Sequence, residues 1–190
     1  MVVLKKEYLP KYTQQDYINW KGKWELICGI PYSMALAPAS KHQIINTKIG
    51  RELDEAIEEY ENSCIAIIEG EWRINESTIL IPDCSLICYE PDDYLTKAPK
   101  IIFEIISKSS ILRDERVKFD IYAKEGVEYY CIVYPDMLVA KLYRLKNDNT
   151  YQKIGDFNDE VYTFVVDGCK IEFNFLNIFK RYKKNTLWQE

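Results

Sequence analysis

Apolar residues recur at three- and four-residue steps through Ile45, Ile49, Leu53, Ala56, Ile57 and Tyr60, a period that places them on one face of an α-helix. Ser40 and Gln43 match a capping box just ahead of that stripe, so a long helix is predicted over residues 40–60. A shorter helix is predicted over 13–21, where Thr13 can cap free amides and Asp16 favours the positive helix end. Elsewhere the apolar runs are short, rich in β-branched and aromatic residues and bounded by turn residues, which marks strands. Residues 24–27 and 30–36 read as a hairpin turning at Cys28-Gly29, with a loop over 37–40. Residues 64–68, 71–74, 79–81 and 85–89 read as a meander. The run 100–107 is almost uniformly apolar, as a strand covered on both faces should be, and Glu104 breaks it. A helix over 113–124 stops at Gly126, and a buried strand follows over 128–134. Further strands run to about residue 173 with a turn at Lys146-Asn147-Asp148-Asn149, and a last helix covers 175–182.

The chain has 190 residues, the length of one ordinary domain, so a single unit over 1–190 is predicted. Hydrophobic residues at 47% and charged residues at 29% exclude disorder and fibrous repeats, and 14% aromatics argue against a helix-only architecture. The formal net charge of -5 provides no broad basic surface, so a phosphate-binding site must be local or borrow the charge of a metal. The opening segment is too weakly apolar for a signal peptide, and no run approaches the roughly 18 apolar residues of a spanning helix. A cytoplasmic protein with no membrane partner is therefore expected. Six cysteines without a C-x-x-C pair lie mainly among apolar neighbours, which predicts buried reduced thiols, and a single histidine gives a zinc site little support.

Glu104 is the strongest local anomaly, because a carboxylate in an Ile-Ile-Phe-x-Ile-Ile strand loses hydration unless a metal ion or a lysine pairs with it. Asp83 follows Pro82 at the junction of two β segments, where the chain and a short side chain are both restricted. Two such oxygens from different strands can bind one hard cation, since Mg2+ takes oxygen ligands and keeps several waters. The plainer readings are a turn aspartate and a strand-edge glutamate facing solvent. Lys118 shares a helix face with Asp114 and Tyr122. That face can point at the Glu104 strand, with the lysine beside a scissile phosphate, or it can be an exposed ion pair. G-x-S-x-G, Walker A, dinucleotide-binding and H-E-x-x-H signatures are absent.

The ordered set Pro82-Asp83, Glu104 with Ser107, Asp114-x-x-x-Lys118-x-x-x-Tyr122 and Gly126-Val127-Glu128-Tyr129-Tyr130 resembles the Uma family of putative restriction endonucleases, within the PD-(D/E)xK nuclease superfamily. Trp24-Glu25-Leu26-Ile27, the helix start at His42 and Tyr130-x-Ile-Val-x-Pro135 extend the resemblance over roughly residues 12 to 180. It implies an α/β (α+β) fold: a restriction-endonuclease-like mixed β-sheet flanked by helices, with additional β-hairpins. It also implies Mg2+-dependent cleavage of DNA, Mn2+ being a possible substitute, at a metal site of Asp83 and Glu104. Lys118 corresponds to the family's lysine moved onto the following helix, and Lys108 is its rival. The usual lysine position holds Ile106, and the family's Asp-Gly-Glu hairpin is replaced by Cys28-Gly29-Ile30.

His42, Glu25 and Tyr122 are accessory candidates, although a helix-start histidine also caps or packs, and Glu25 reads equally as a strand carboxylate with an exposed outlook. Arg113 and Arg116 cluster with the two lysines as candidate phosphate contacts or as one solvated charged helix. A homodimer would suit double-strand cutting. The competing reading is a catalytically inactive nuclease-fold protein that binds or assembles with mobile-element machinery.

Overall fold

The computed structural model describes residues 9–34, 39–58, 60, 64–107 and 110–183. Helix α1 (Gln14–Tyr17) is shorter than its pattern suggests, and the Thr13 amide and hydroxyl both donate to Asp16 Oδ2, at 2.8 and 3.0 Å. β1 (Trp24–Ile27) and β2 (Ile30–Ser33) form the expected hairpin. Its turn places Cys28 and Gly29 at φ 51° and 81°, the positive values that a tight two-residue hairpin turn requires. A Cβ on Gly29 would also meet the Lys11 backbone at 3.3 Å. Helix α2 (Ser40–Ile57) buries Ile45, Ile49, Leu53 and Ile57, but it starts and stops differently from the expectation. Ala39 is its N-cap and Ser40 is already helical, so the Ser40–Gln43 capping box does not form, and the helix ends before Tyr60.

β3 (Cys64–Ile68), β4 (Trp72–Asn75), β5 (Thr78–Leu80) and β6 (Cys84–Cys88) do not make one meander. β4 and β5 leave to join the first hairpin in a four-stranded sheet of order β2-β1-β5-β4, while β3 pairs with β6 in a six-stranded sheet. The excursion is closed at its base, where the Glu69 amide donates to the Asp83 carbonyl at 3.0 Å. β7 (Ile101–Ile105), β8 (Tyr129–Tyr134), β9 (Val139–Leu145) and β10 (Tyr151–Phe157) complete the larger sheet, of order β10-β9-β8-β7-β6-β3. Among the described strands only β7 and β8 pair in parallel, and the helical segment between them provides the crossover that parallel strands need. That segment is π-helical over Arg113–Lys118 before it becomes α3 (Phe119–Glu125), which Gly126 caps at φ 88°. β11 (Val161–Val166) and β12 (Cys169–Asn174) form a separate ribbon ahead of α4 (Phe175–Lys183).

Alternate residues of the large sheet feed two cores, as the strand period of two requires. Phe103, Cys131 and Leu142 pack with Ile49 and Leu53 of α2, with Phe164 and Phe173 of the ribbon and with Phe179 of α4. Ile102, Tyr130 and Ile132 pack on the other side with Tyr122, Trp72 and Leu80. Glu104 follows Ile102 by two residues and so belongs to this second face. Cys64 and Cys88 lie directly opposite on β3 and β6 and form a disulfide, which corrects the reduced-thiol expectation for that pair. Strand pairing brings together cysteines separated by 24 positions, a proximity that spacing along the chain does not reveal. Cys84 and Cys131 are free and buried, as expected.

Candidate active site

A cavity of about 370 Å³ opens where the two sheets meet, and Asp83, Glu104, Lys118, His42, Arg113 and Asp114 all line it. Asp83 enters from the residue before β6. Its Oδ2 accepts the Ile105 amide at 2.7 Å and lies 3.2 Å from His42 Nε2, while its carbonyl accepts the Asn46 side-chain amide at 3.0 Å. Two elements, β7 and α2, therefore hold the carboxylate and its backbone. Glu104 projects from the neighbouring strand β7, and its Oε1 accepts Lys118 Nζ at 2.8 Å and the Tyr122 hydroxyl at 2.6 Å. Asp83 Oδ1 and Glu104 Oε2 have no protein partner among the described residues, and neither belongs to the polar atoms sealed inside the protein.

Lys118 is 1% exposed and lies 2.7 Å from Glu25 Oε1 and 3.5 Å from Asp114 Oδ1 as well. Glu25 is fully buried rather than exposed, and its Oε1 also accepts the Ile81 amide at 3.0 Å. The exposed outlook is thereby corrected. A usable signal was present in the sequence, since alternation on β1 puts Glu25 on the same face as Ile27. Asp114, also buried, is a member of the cluster that its helical spacing to Lys118 indicated only as half of an ion pair. Arg113 Nε stands 3.3 Å from Glu25 Oε2. Arg116 is exposed and lies outside the cavity lining, and Lys108 falls outside the described residues.

Four buried carboxylates (Glu25, Asp83, Glu104 and Asp114) thus face two permanent cations, Lys118 and Arg113. The titration behaviour follows from that shortfall. Burial pushes the Glu104 carboxyl well above its usual range against the pull of Lys118, and Asp114, Asp83 and Glu25 push it further. Burial works against the Lys118 ammonium, but Glu104, Glu25 and Asp114 hold it charged beyond the ordinary lysine range. His42 is likewise raised, because its hydrogen bond to Asp83 and that residue's charge outweigh burial.

A divalent cation fits this donor set. Two hard carboxylate oxygens, one just before β6 and one on the adjacent β7, lack protein partners among the described residues, and the surrounding cluster has two more carboxyl groups than permanent cations. Among the described residues no three His, Cys, Asp or Glu side chains form a metal cage. Mg2+ does not require one, because it is usually bound through one or two carboxylates and fills its remaining positions with water and substrate phosphates.

The fold is shared with a solved structure described as a putative nuclease belonging to DUF820 from Anabaena variabilis ATCC 29413. The TM-score is 0.71 at 15% identity, covering 88% of this chain and 97% of that one. No curated protein matches the sequence. The model of the Uma2 family, described as "Putative restriction endonuclease", matches residues 9–173. With both main sheets, the first three helices and the cavity inside that match, the chain belongs to the Uma2 family.

Proposed function

We propose that the protein is a metal-dependent endonuclease that hydrolyses phosphodiester bonds of DNA at the cavity between the two sheets. The observation that carries this reading is that Asp83, just before β6, and Glu104, on the adjacent β7, line one cavity beside the Lys118 ammonium. Asp83 and Glu104 would hold Mg2+ or Mn2+ through Oδ1 and Oε2. When bound, such an ion supplies Lewis acidity, offsetting phosphoryl charge and acidifying water. Asp83 is kept in place by the Ile105 amide and His42, and Glu104 by Tyr122 and Lys118, so the two donors are preorganised. Lys118 holds positive charge beside the reaction centre, where negative charge develops on the phosphate. Arg113 reaches the same cavity and is the better placed of the two arginine candidates for a phosphate oxygen.

Nicking of supercoiled plasmid in Mg2+ or Mn2+ tests the proposal, with Asp83→Asn and Glu104→Gln as paired variants. Cleavage by the parent that both variants lose supports it. Cleavage that survives in both variants removes these residues from the mechanism. One observation favours a second reading, a nuclease-fold protein that binds DNA without turnover: Lys118 is already engaged by three carboxylates. DNA binding without cleavage in either metal would select that reading.

A further inference from the structure

A basic face lies on α2 along the edge of its contact with α4. The two helices run antiparallel: Lys41 lies 5.2 Å from the Tyr182 ring centroid, and seven residues on, Lys48 Nζ donates to the Asn177 carbonyl at 3.0 Å. Lys180 Nζ donates to the Asn177 side-chain oxygen at 2.9 Å. One asparagine therefore gathers two ammonium groups, and among the described residues neither is in an ion pair. Arg181 and Arg51 are exposed beside them. Of the nearby acids, Glu55 is paired with Arg51 Nε at 2.8 Å, and Glu52 accepts the neutral Asn177 amide at 2.8 Å. Burial and then the charges of Lys180, Arg51 and Arg181 lower the Lys48 pKa, and the Glu52 carboxylate offsets this only in part.

In a chain of net charge -5 such a concentration is not average surface, and it leads to the cavity, because Lys41 lines the cavity rim. We propose that Lys48, Lys180 and Arg181, continued by Lys41, form a docking surface for the phosphate backbone of the DNA cleaved at the cavity. The proposal rests on the nuclease reading. Helical rise puts Lys48 about 10 Å from Lys41, a span of about three phosphates along one DNA strand. Charge complementarity and continuity with the cavity select a nucleic-acid backbone as the occupant.

The test compares binding of a fluorescein-labelled DNA duplex by the parent and by the Lys48→Gln/Lys180→Gln/Arg181→Gln variant, in EDTA across a salt series. Circular dichroism checks that both are folded. Binding should weaken in the variant, and the slope of log affinity against log salt should become shallower by about 0.9 for each contact removed. The charge-preserving Lys180→Arg/Arg181→Lys variant should retain the parent slope. Unchanged affinity and slope in the glutamine variant would overturn the docking surface and leave the cavity reading untouched. A parent that fails to bind DNA at low salt would count against both. Binding of phosphatidylserine vesicles in place of DNA, abolished in the glutamine variant, would assign the face to an anionic membrane and overturn the proposal.

Discussion

Lys118 Nζ lies 2.8 Å from Glu104 Oε1, joining the end of a π-helical segment to the middle of a buried strand. Glu25 and Asp114 share the same ammonium, so this one lysine is the main compensation for three buried carboxylates. Replacing it with methionine leaves Glu104 without a cation and Glu25 and Asp114 with Arg113 alone, and should cost about 3–5 kcal/mol of stability. Urea unfolding measures this. The Lys118→Met/Glu104→Gln double variant should lose less than the sum of its single substitutions, because the two residues interact directly. A Lys118→Met protein as stable as the parent would contradict the charge balance described for the cluster.

Tyr122 supplies the second hydrogen bond to Glu104 while its ring stacks on Trp72 with centroids 6.0 Å apart. Phenylalanine keeps the ring and removes the donor. The expected cost of Tyr122→Phe is about 1–3 kcal/mol, the range for leaving a buried polar group short of a partner, read from the same urea curves with an unchanged m-value. A neutral substitution would mean that Lys118 alone satisfies that oxygen.

The Cys64–Cys88 bridge predicts four titratable thiols, rather than six, in unfolded protein that has not been reduced: Cys28, Cys84, Cys131 and Cys169. Thiol titration in guanidinium counts them directly. Reduction should then lower stability by about 3.5 kcal/mol, the chain-entropy value for a loop of this length. Six reactive thiols before reduction would rule the bridge out.

Lys100 leads into β7, and its ammonium donates to Glu128 at 2.8 Å and to Asp167 at 2.9 Å. Burial opposes its charge, but those two carboxylates raise its pKa above the ordinary 10.5. A group raised on folding contributes stability that is fully present below the unfolded pKa and is lost as pH climbs through the folded one. Lys100→Met should therefore cost about 0.5–1 kcal/mol at neutral pH, and its difference from the parent should shrink once pH exceeds about 10.5. Paired urea curves at neutral and alkaline pH check this. A difference that stays constant or grows would assign the cost to lost packing of the lysine stem.

Elements whose signals act over a few residues were legible in the chain. The α2 stripe, the apolar β7 run and the stop at Gly126 are all local, since a helix face or a strand face repeats within four residues or two. The same holds for the shared face of Asp114, Lys118 and Tyr122, and for the anomaly of Glu104, which is a carboxylate among isoleucines wherever the strand is placed. The ends of α2 were less legible, because Ser40 is the favoured cap by residue type and yet Ala39, which has no capping side chain, takes that place.

Tertiary structure decided which distant groups meet. The division of the apparent meander between two sheets follows from pairing of β5 with β1 and of β6 with β3, choices made by the packing of both faces. That division carries Glu25 from the first hairpin onto Lys118 and brings the Ile105 amide to Asp83. It also aligns Cys64 with Cys88. The antiparallel seating of α4 on α2 likewise gathers Lys48 and Lys180 on Asn177, from segments that are each only moderately basic in sequence. Local chemistry determined which side chains were out of place in their own segments; the long-range pairing of strands and helices determined what each of them faces, because that pairing is selected by burial of whole surfaces and not by the spacing of neighbours along the chain.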